Sequence, residues 1–346
     1  MLFHHNKISG IVFNNLFNGV KFYKFLRNHQ VHHDFKYELG LNVDSYEYDG
    51  LSFYEESKCH MYWKNYGKKL ASVVVPNDAQ VRVEKDRFIS DKIILTDIID
   101  FCDVDDTFWL NIIRHDCTVL QHIKNQTDEM CAFIIEKDPL MLVFVKNKTL
   151  ELCELAVKKN CFTLMDVEDQ TDEMCRSAVQ KNGYALEYVK DQTDEICELA
   201  IRQIGLALEY VRNQTEDICK LAVQKNGSAL QYVKIQTDEI CRLAVQQYGM
   251  ALQYVKNQTD EICRLAVQKD GYAVMYVKNQ TDDICKLAVQ QNGYALKHVK
   301  NQTTDICFMA IKNDIGALQF IKNLDGYVAI CAFFVGGITA IIYMIH

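Results

Sequence analysis

With 346 residues, 49% apolar and 24% charged, the chain has the makeup of a folded protein with room for two or three domains, which excludes intrinsic disorder. A net charge of −8, with Asp and Glu interleaved among the lysines, argues against a nucleic-acid surface. Fourteen cysteines without a C-x-x-C pair fit small buried hydrophobes in a reducing compartment better than a disulfide framework.

Residues 1–20 hold an apolar stretch broken by Asn14, Asn15 and Asn18, without the small-residue cleavage site of a signal peptide, and read as an N-terminal extension. Residues 21–104 carry no repeat and are rich in aromatics. Strand-like runs at 71–75 and 80–84, separated by the turn Pro76-Asn77-Asp78, and an apolar run at 93–95 predict a small mixed α/β or β-rich domain.

From residue 105 a 22-residue period takes over. Cys131, Cys153, Cys175, Cys197, Cys219, Cys241, Cys263, Cys285 and Cys307 recur without a slip, and a degenerate first copy places Trp109 in the cysteine slot. Ten units fill 105–126, 127–148, 149–170, 171–192, 193–214, 215–236, 237–258, 259–280, 281–302 and 303–324. Such a period implies a stacked array. In the copy at 237–258 Thr237 reads as an N-cap, Asp238 and Glu239 favour the positive end of a helix, and Ile240, Cys241, Leu243, Ala244 and Val245 form one apolar face. Gly249, with its counterparts Gly183, Gly205, Gly227, Gly271 and Gly293, is expected to supply a left-handed C-cap or a sharp turn, followed by a second short helix. The spacing I-x-x-L-x-V also fits a leucine-rich repeat, but the abundance of Ala, Leu, Gln, Lys and Glu favours helical pairs. The fold class expected is therefore mainly α: an α-solenoid of ten helix-turn-helix units behind a small mixed domain, with a C-terminal apolar helix.

The last stretch, Tyr327 to Ile345, is 19 residues without a charge, the length of a membrane span, and predicts a tail anchor with the repeats facing the cytoplasm. Ala332, Gly336 and Ala340 fall four apart, a face that could pair helices into a homo-oligomer within the bilayer. A buried cap on the final repeat is the competing expectation, with the chain then free in the cytoplasm.

The segments KFYKFL (21–26), HHDFKYELGLN (32–42), DGLSFY (49–54) and 66–95 resemble the N-terminal domain of uncharacterised repeat proteins of Mimivirus-type giant viruses. The repeat core, AVQKNGYALEYV at 178–189, is similar to a short helical repeat also frequent in those viruses. The resemblance implies lineage and a host or viral partner, and transfers no catalytic residues.

Chemistry is sparse. No P-loop, G-x-S-x-G or H-E-x-x-H occurs, no cofactor is expected, and His29, His32, His33, Cys59 and His60 match no zinc spacing. The seven N-x-S/T sequons arise mostly where a unit ending in Asn-x meets the capping Thr of the next. What varies over the constant frame is the residue after the glycine (Tyr184, Leu206, Ser228, Met250, Tyr272, Tyr294) and the one three further on (Glu187, Glu209, Gln231, Gln253, Met275, Lys297). Beside them run Tyr188, Tyr210, Tyr232, Tyr254, Tyr276 and His298. Either these line a protein-binding surface or the tyrosines fill gaps between units. The function expected is a non-enzymatic interaction scaffold fixed to a membrane. The alternatives are that 21–104 form a catalytic or ligand-binding module targeted by the repeats, or that the chain is a structural virion component.

Overall fold

The computed structural model describes residues 7–27, 31–32, 35–44, 50–63 and 68–322, and the chain divides into two compact units, 1–159 and 160–346. A small mixed α/β region is followed by 22-residue repeats forming an α-solenoid.

The first unit opens with strands β1 (Lys7–Ser9), β2 (Phe22–Leu26), β3 (Val31–His32), β4 (Phe35–Lys36), β5 (Gly40–Val43), β6 (Leu51–Glu55), β7 (Lys69–Val74), β8 (Gln80–Val83), β9 (Phe88–Ser90) and β10 (Lys92–Asp100). Eight of them form one antiparallel sheet in the order β1-β8-β9-β6-β2-β7-β10-β5, while β3 and β4 pair separately. The expected runs at 71–75, 80–84 and 93–95 fall in β7, β8 and β10. Residues before 21 belong to the same core. Ser9 caps a short helix, Gly10–Leu16, whose Phe13 is fully buried with ring centroids 4.8–5.9 Å from Phe17, Phe22, Phe53 and Phe88.

One core-facing position of β2 is charged. Lys24 alternates with Phe22 and Leu26, both core residues, and is only 2% exposed. The cause is a fork in the sheet: β2 pairs β6 only at Phe22↔Glu55 and Tyr23↔Tyr54, after which β6 leaves to pair β9. At the fork Lys24 Nζ donates to the Ser52 carbonyl at 2.6 Å and sits 4.4 Å over the Tyr37 ring. Burial lowers its pKa from 10.5 to about 7.

The first repeat meets the sheet within this unit. Trp109, on the helix Asp106–Ile113, is buried with its ring centroid 4.7 Å from Phe101, which explains a large aromatic where later units carry cysteine. Trp63 Nε1 donates to Asp116 at 3.2 Å and Asn111 to Glu56 at 2.8 Å across the same contact.

In the second unit each repeat is a ten-residue α-helix followed by a six-residue 3-10 helix, as in Asp238–Gln247 and Gly249–Tyr254. The leucine-rich alternative is thereby excluded. Thr237 caps the α-helix by accepting from the Ile240 N–H, and its counterparts from Thr171 to Thr303 do the same. Asn182, Asn226, Asp270, Asn292 and Asp314 repeat the device at the 3-10 helix, each accepting from the N–H two residues on. Ile (Met174 in one unit), Cys, Ala and Val (Ile201 in one unit) of the α-helix and Ala and Leu (Val274 in one unit) of the 3-10 helix are buried in the units from 171 to 302.

The glycine has a different cause from the one its position suggests. None of the six takes a positive φ. A Cβ there would instead lie 2.5–2.9 Å from the carbonyl oxygen of the alanine in the next helix, as Gly249 would from Ala266. The start of each 3-10 helix thus rests directly on its neighbour's backbone, and only a residue without a side chain fits.

A glutamine at the end of each unit joins it to the next. Gln236 Nε2 donates to the Leu230 carbonyl of its own 3-10 helix at 3.4 Å and to the Tyr254 carbonyl of the following one at 2.9 Å. Its Oε1 accepts from the Lys256 N–H at 2.9 Å and from the Cys241 thiol at 3.8 Å. Gln170, Gln192, Gln214, Gln258 and Gln280 make the same four contacts. Burial pushes the ladder thiols up, to about 11 at Cys175, Cys197, Cys241 and Cys285. They stay protonated and can donate. The cysteines described are free thiols.

The membrane reading is corrected. The segment 327–345, with Ala332, Gly336 and Ala340, lies outside the described residues, and among those described no helix is long and apolar enough to cross a membrane. The repeat helices run ten residues, about 15 Å against the roughly 30 Å of a bilayer core. The tail anchor, the bilayer as partner, the single-pass location and pairing through that helix are withdrawn.

Two outcomes test this packing. Gln236→Leu strands two carbonyls and an N–H at the junction and should lower unfolding stability by about 2–5 kcal/mol in urea titration. Exposed Gln253→Leu should stay within about 0.5 kcal/mol, and equal effects would sink the assignment. For Lys24 the unfolded state binds a proton that the folded state has lost between pH 7 and 10.5, so this group's contribution to stability rises with pH across that window. The melting-temperature advantage of Lys24→Met should therefore be greatest near pH 6 and shrink towards pH 9, and a pH-independent difference would contradict a charged amine in the core.

Candidate functional site

The variable positions all fall on the 3-10 helices of the second unit: Gly183–Tyr188, Gly205–Tyr210, Gly227–Tyr232, Gly249–Tyr254, Gly271–Tyr276 and Gly293–His298. A 3-10 helix has three residues per turn, so its six positions sort into three stripes. Positions one and four, Gly and Leu (Val274 in one unit), are buried against the stack. Position three, Ala, is buried, and position six, the aromatic, is half-buried. Positions two and five point outward. Tyr184, Met250, Tyr272 and Tyr294 at position two are half-buried, while Glu187, Glu209, Gln231, Gln253, Met275 and Lys297 at position five are exposed.

The aromatics are both frame and surface. Where position two is a ring, it meets position six of the next unit edge-on: Tyr184 on Tyr210 at 6.1 Å, Tyr272 on His298 at 6.0 Å and Tyr294 on Phe320 at 5.7 Å between centroids. Tyr232, Tyr254 and Tyr276 follow units whose position two is Leu206, Ser228 or Met250, and remain half-buried beside those side chains. The expected residues are thus brought together on one face, where the rings pack between units and stay half-exposed.

Electrostatics separate this face from the α-helical one. The α-helices exchange ion pairs from unit to unit, Arg176–Glu195, Lys220–Glu239, Arg242–Glu261, Arg264–Asp283 and Lys286–Asp305, at 2.5–3.9 Å. The charges of the 3-10 face have no such partners among the described residues. Glu187 and Glu209 instead sit among phenols: burial first, then hydrogen bonding from the hydroxyl to Glu187, pushes the Tyr188 hydroxyl up, and burial and Glu209 do the same at Tyr232. Burial and the cations Lys297 and Lys322 lower His298.

Other candidates do not assemble. His29 and His33 lie outside the described residues, as does the His32 side chain. Cys59 is buried, His60 stacks on His115 at 4.1 Å, and no group of three metal-ligating residues occurs among the described residues. A groove lined by Gln258, Asp260, Cys263 and Lys278 encloses about 150 Å³, below the roughly 300 Å³ at which small-molecule sites begin. Sequence reasoning missed the linking glutamines, whose signal was their recurrence at the unit ends from Gln170 to Gln302, and the order of charges along position five.

A family model described as a domain of unknown function (DUF4116) matches residues 215–259, which span two of the repeats. No curated protein and no solved structure matches the chain.

Proposed function

We propose that the chain is a non-enzymatic protein-interaction scaffold whose 3-10 face binds a protein partner. The observation that carries this reading is a frame held constant in every unit while the outward positions two and five change, beside a continuous row of half-buried aromatics. The resemblance to giant-virus repeat proteins supports a host or viral protein as that partner. No catalytic step is assigned. A photo-crosslinking residue placed at Gln231 or Gln253 should give a discrete protein adduct in cells, lost by most of its yield in Tyr210→Ser/Tyr232→Ser/Tyr254→Ser. The same residue at Gln246 or Gln268, on the α-helical face, should give none. Adducts from both faces, or from neither, would contradict the reading.

A second reading, in which residues 21–104 are a ligand-binding module delivered by the repeats, rests on a core around Phe22, Phe53 and Phe88 that they share with Phe13. It requires a small molecule that raises the melting temperature of the full chain equally with and without the three tyrosine substitutions.

A further inference from the structure

Position five of the 3-10 helices carries an ordered sequence of charge. From Gly183–Tyr188 to Gly293–His298 it reads Glu187, Glu209, Gln231, Gln253, Met275, Lys297, every one exposed. The anionic end is reinforced from within the face. Glu209 bears on the hydroxyls of both Tyr210 and Tyr232, and Glu187 on those of Tyr188 and Tyr210, so the two carboxylates share one phenol-lined stretch. The cationic end is Lys297, whose ammonium lies 5.9 Å over Phe320, with Lys322 close enough to lower His298. Between them positions two, five and six of the 3-10 helices carry no charge, and Met250 and Met275 provide adaptable apolar contact.

This pattern is not background. On the α-helical face five cations each meet a carboxylate one unit away, which offsets part of that surface's charge. Glu187, Glu209 and Lys297 form no ion pair among the described residues, and a bound chain could complete them.

Building on the scaffold reading above, we infer that the 3-10 face takes an extended polypeptide segment of fixed polarity, cationic where it passes Glu187 and Glu209, uncharged across Gln231 to Met275, and anionic where it reaches Lys297. The length follows from the stacking. Neighbouring helices pack about 8–10 Å apart, so the four steps from Glu209 to Lys297 span roughly 32–40 Å, which an extended chain at ~3.3 Å per residue crosses in about 10–12 residues.

The probes are three fluorescein-labelled peptides of one composition: two Arg and two Asp separated by about 11 uncharged residues with Arg first, the same with Asp first, and a version with all four charges clustered. They are titrated into the full chain by fluorescence anisotropy at low salt. One spaced peptide should bind roughly tenfold tighter than the other spaced peptide and the clustered one, and the preference should fade with added salt. Glu187→Lys/Glu209→Lys/Lys297→Glu should invert the preference between the two spaced peptides while leaving the helical circular dichroism unchanged. Binding that ignores charge order but is lost in the triple tyrosine variant overturns the polarity and leaves the scaffold reading standing. Binding of none of the three up to about 1 mM overturns the inference, whatever photo-crosslinking shows.

Discussion

The side-chain amide of the glutamine between successive repeats, from Gln170 to Gln302, is the contact on which the stack depends. Every 3-10 helix leaves carbonyls without partners at its end, and the turn after it leaves an N–H. Water could satisfy these groups only by separating the units. Gln236 supplies two donors and an acceptor instead, to Leu230, Tyr254 and Lys256, and so converts an unsatisfied end into a joint between neighbours. Three other features serve that approach: alanine in the α-helix and glycine in the 3-10 helix let the backbones meet, and a cysteine thiol, small and protonated, fills the space beside the amide oxygen. Hydrophobic burial provides most of the stabilisation, while the amide fixes the register in which that burial occurs.

That register determines what the surface can be. Because Gly and Leu of each 3-10 helix are committed to the stack, a three-residue turn necessarily turns positions two and five outward, and the sixth position lies along their flank. Variation is therefore free at positions two and five and constrained elsewhere. The α-helical face, by contrast, is closed on itself by a ladder of ion pairs. A repeat built this way has one side linked by ion pairs from unit to unit and another on which side chains vary.

Much of this was legible before any coordinates. The period, the capping threonines and the apolar face follow from local rules, because each concerns residues within one helical turn, as between Thr237 and Ile240. What the sequence concealed involves partners a full unit away. Gln236 reads as a polar loop residue because its acceptor on Tyr254 lies 18 positions on. Gly249 reads as a turn because its steric partner, Ala266, belongs to the next repeat. Lys24 sits at a fork between two strand pairings, which no alternation pattern reveals. The 19 uncharged residues at 327–345 matched a membrane length, a criterion blind to context, and the repeat helices are too short to span a bilayer. Variability marks the candidate face in the sequence, whereas its polarity depends on position five of successive 3-10 helices sharing one stripe.

The most direct measurement is residue-resolved hydrogen exchange on the native chain. The amides of Arg212, Lys234, Lys256, Lys278 and Lys300 belong to exposed residues outside any helix, and each donates to a glutamine oxygen of the preceding unit. If the glutamine joint holds the stack together, these amides should exchange as slowly as those at the centres of the α-helices, since both would open only when units separate. Fast exchange at these five positions, with the helical amides still protected, would mean that the units hold together without the joint and would contradict the account.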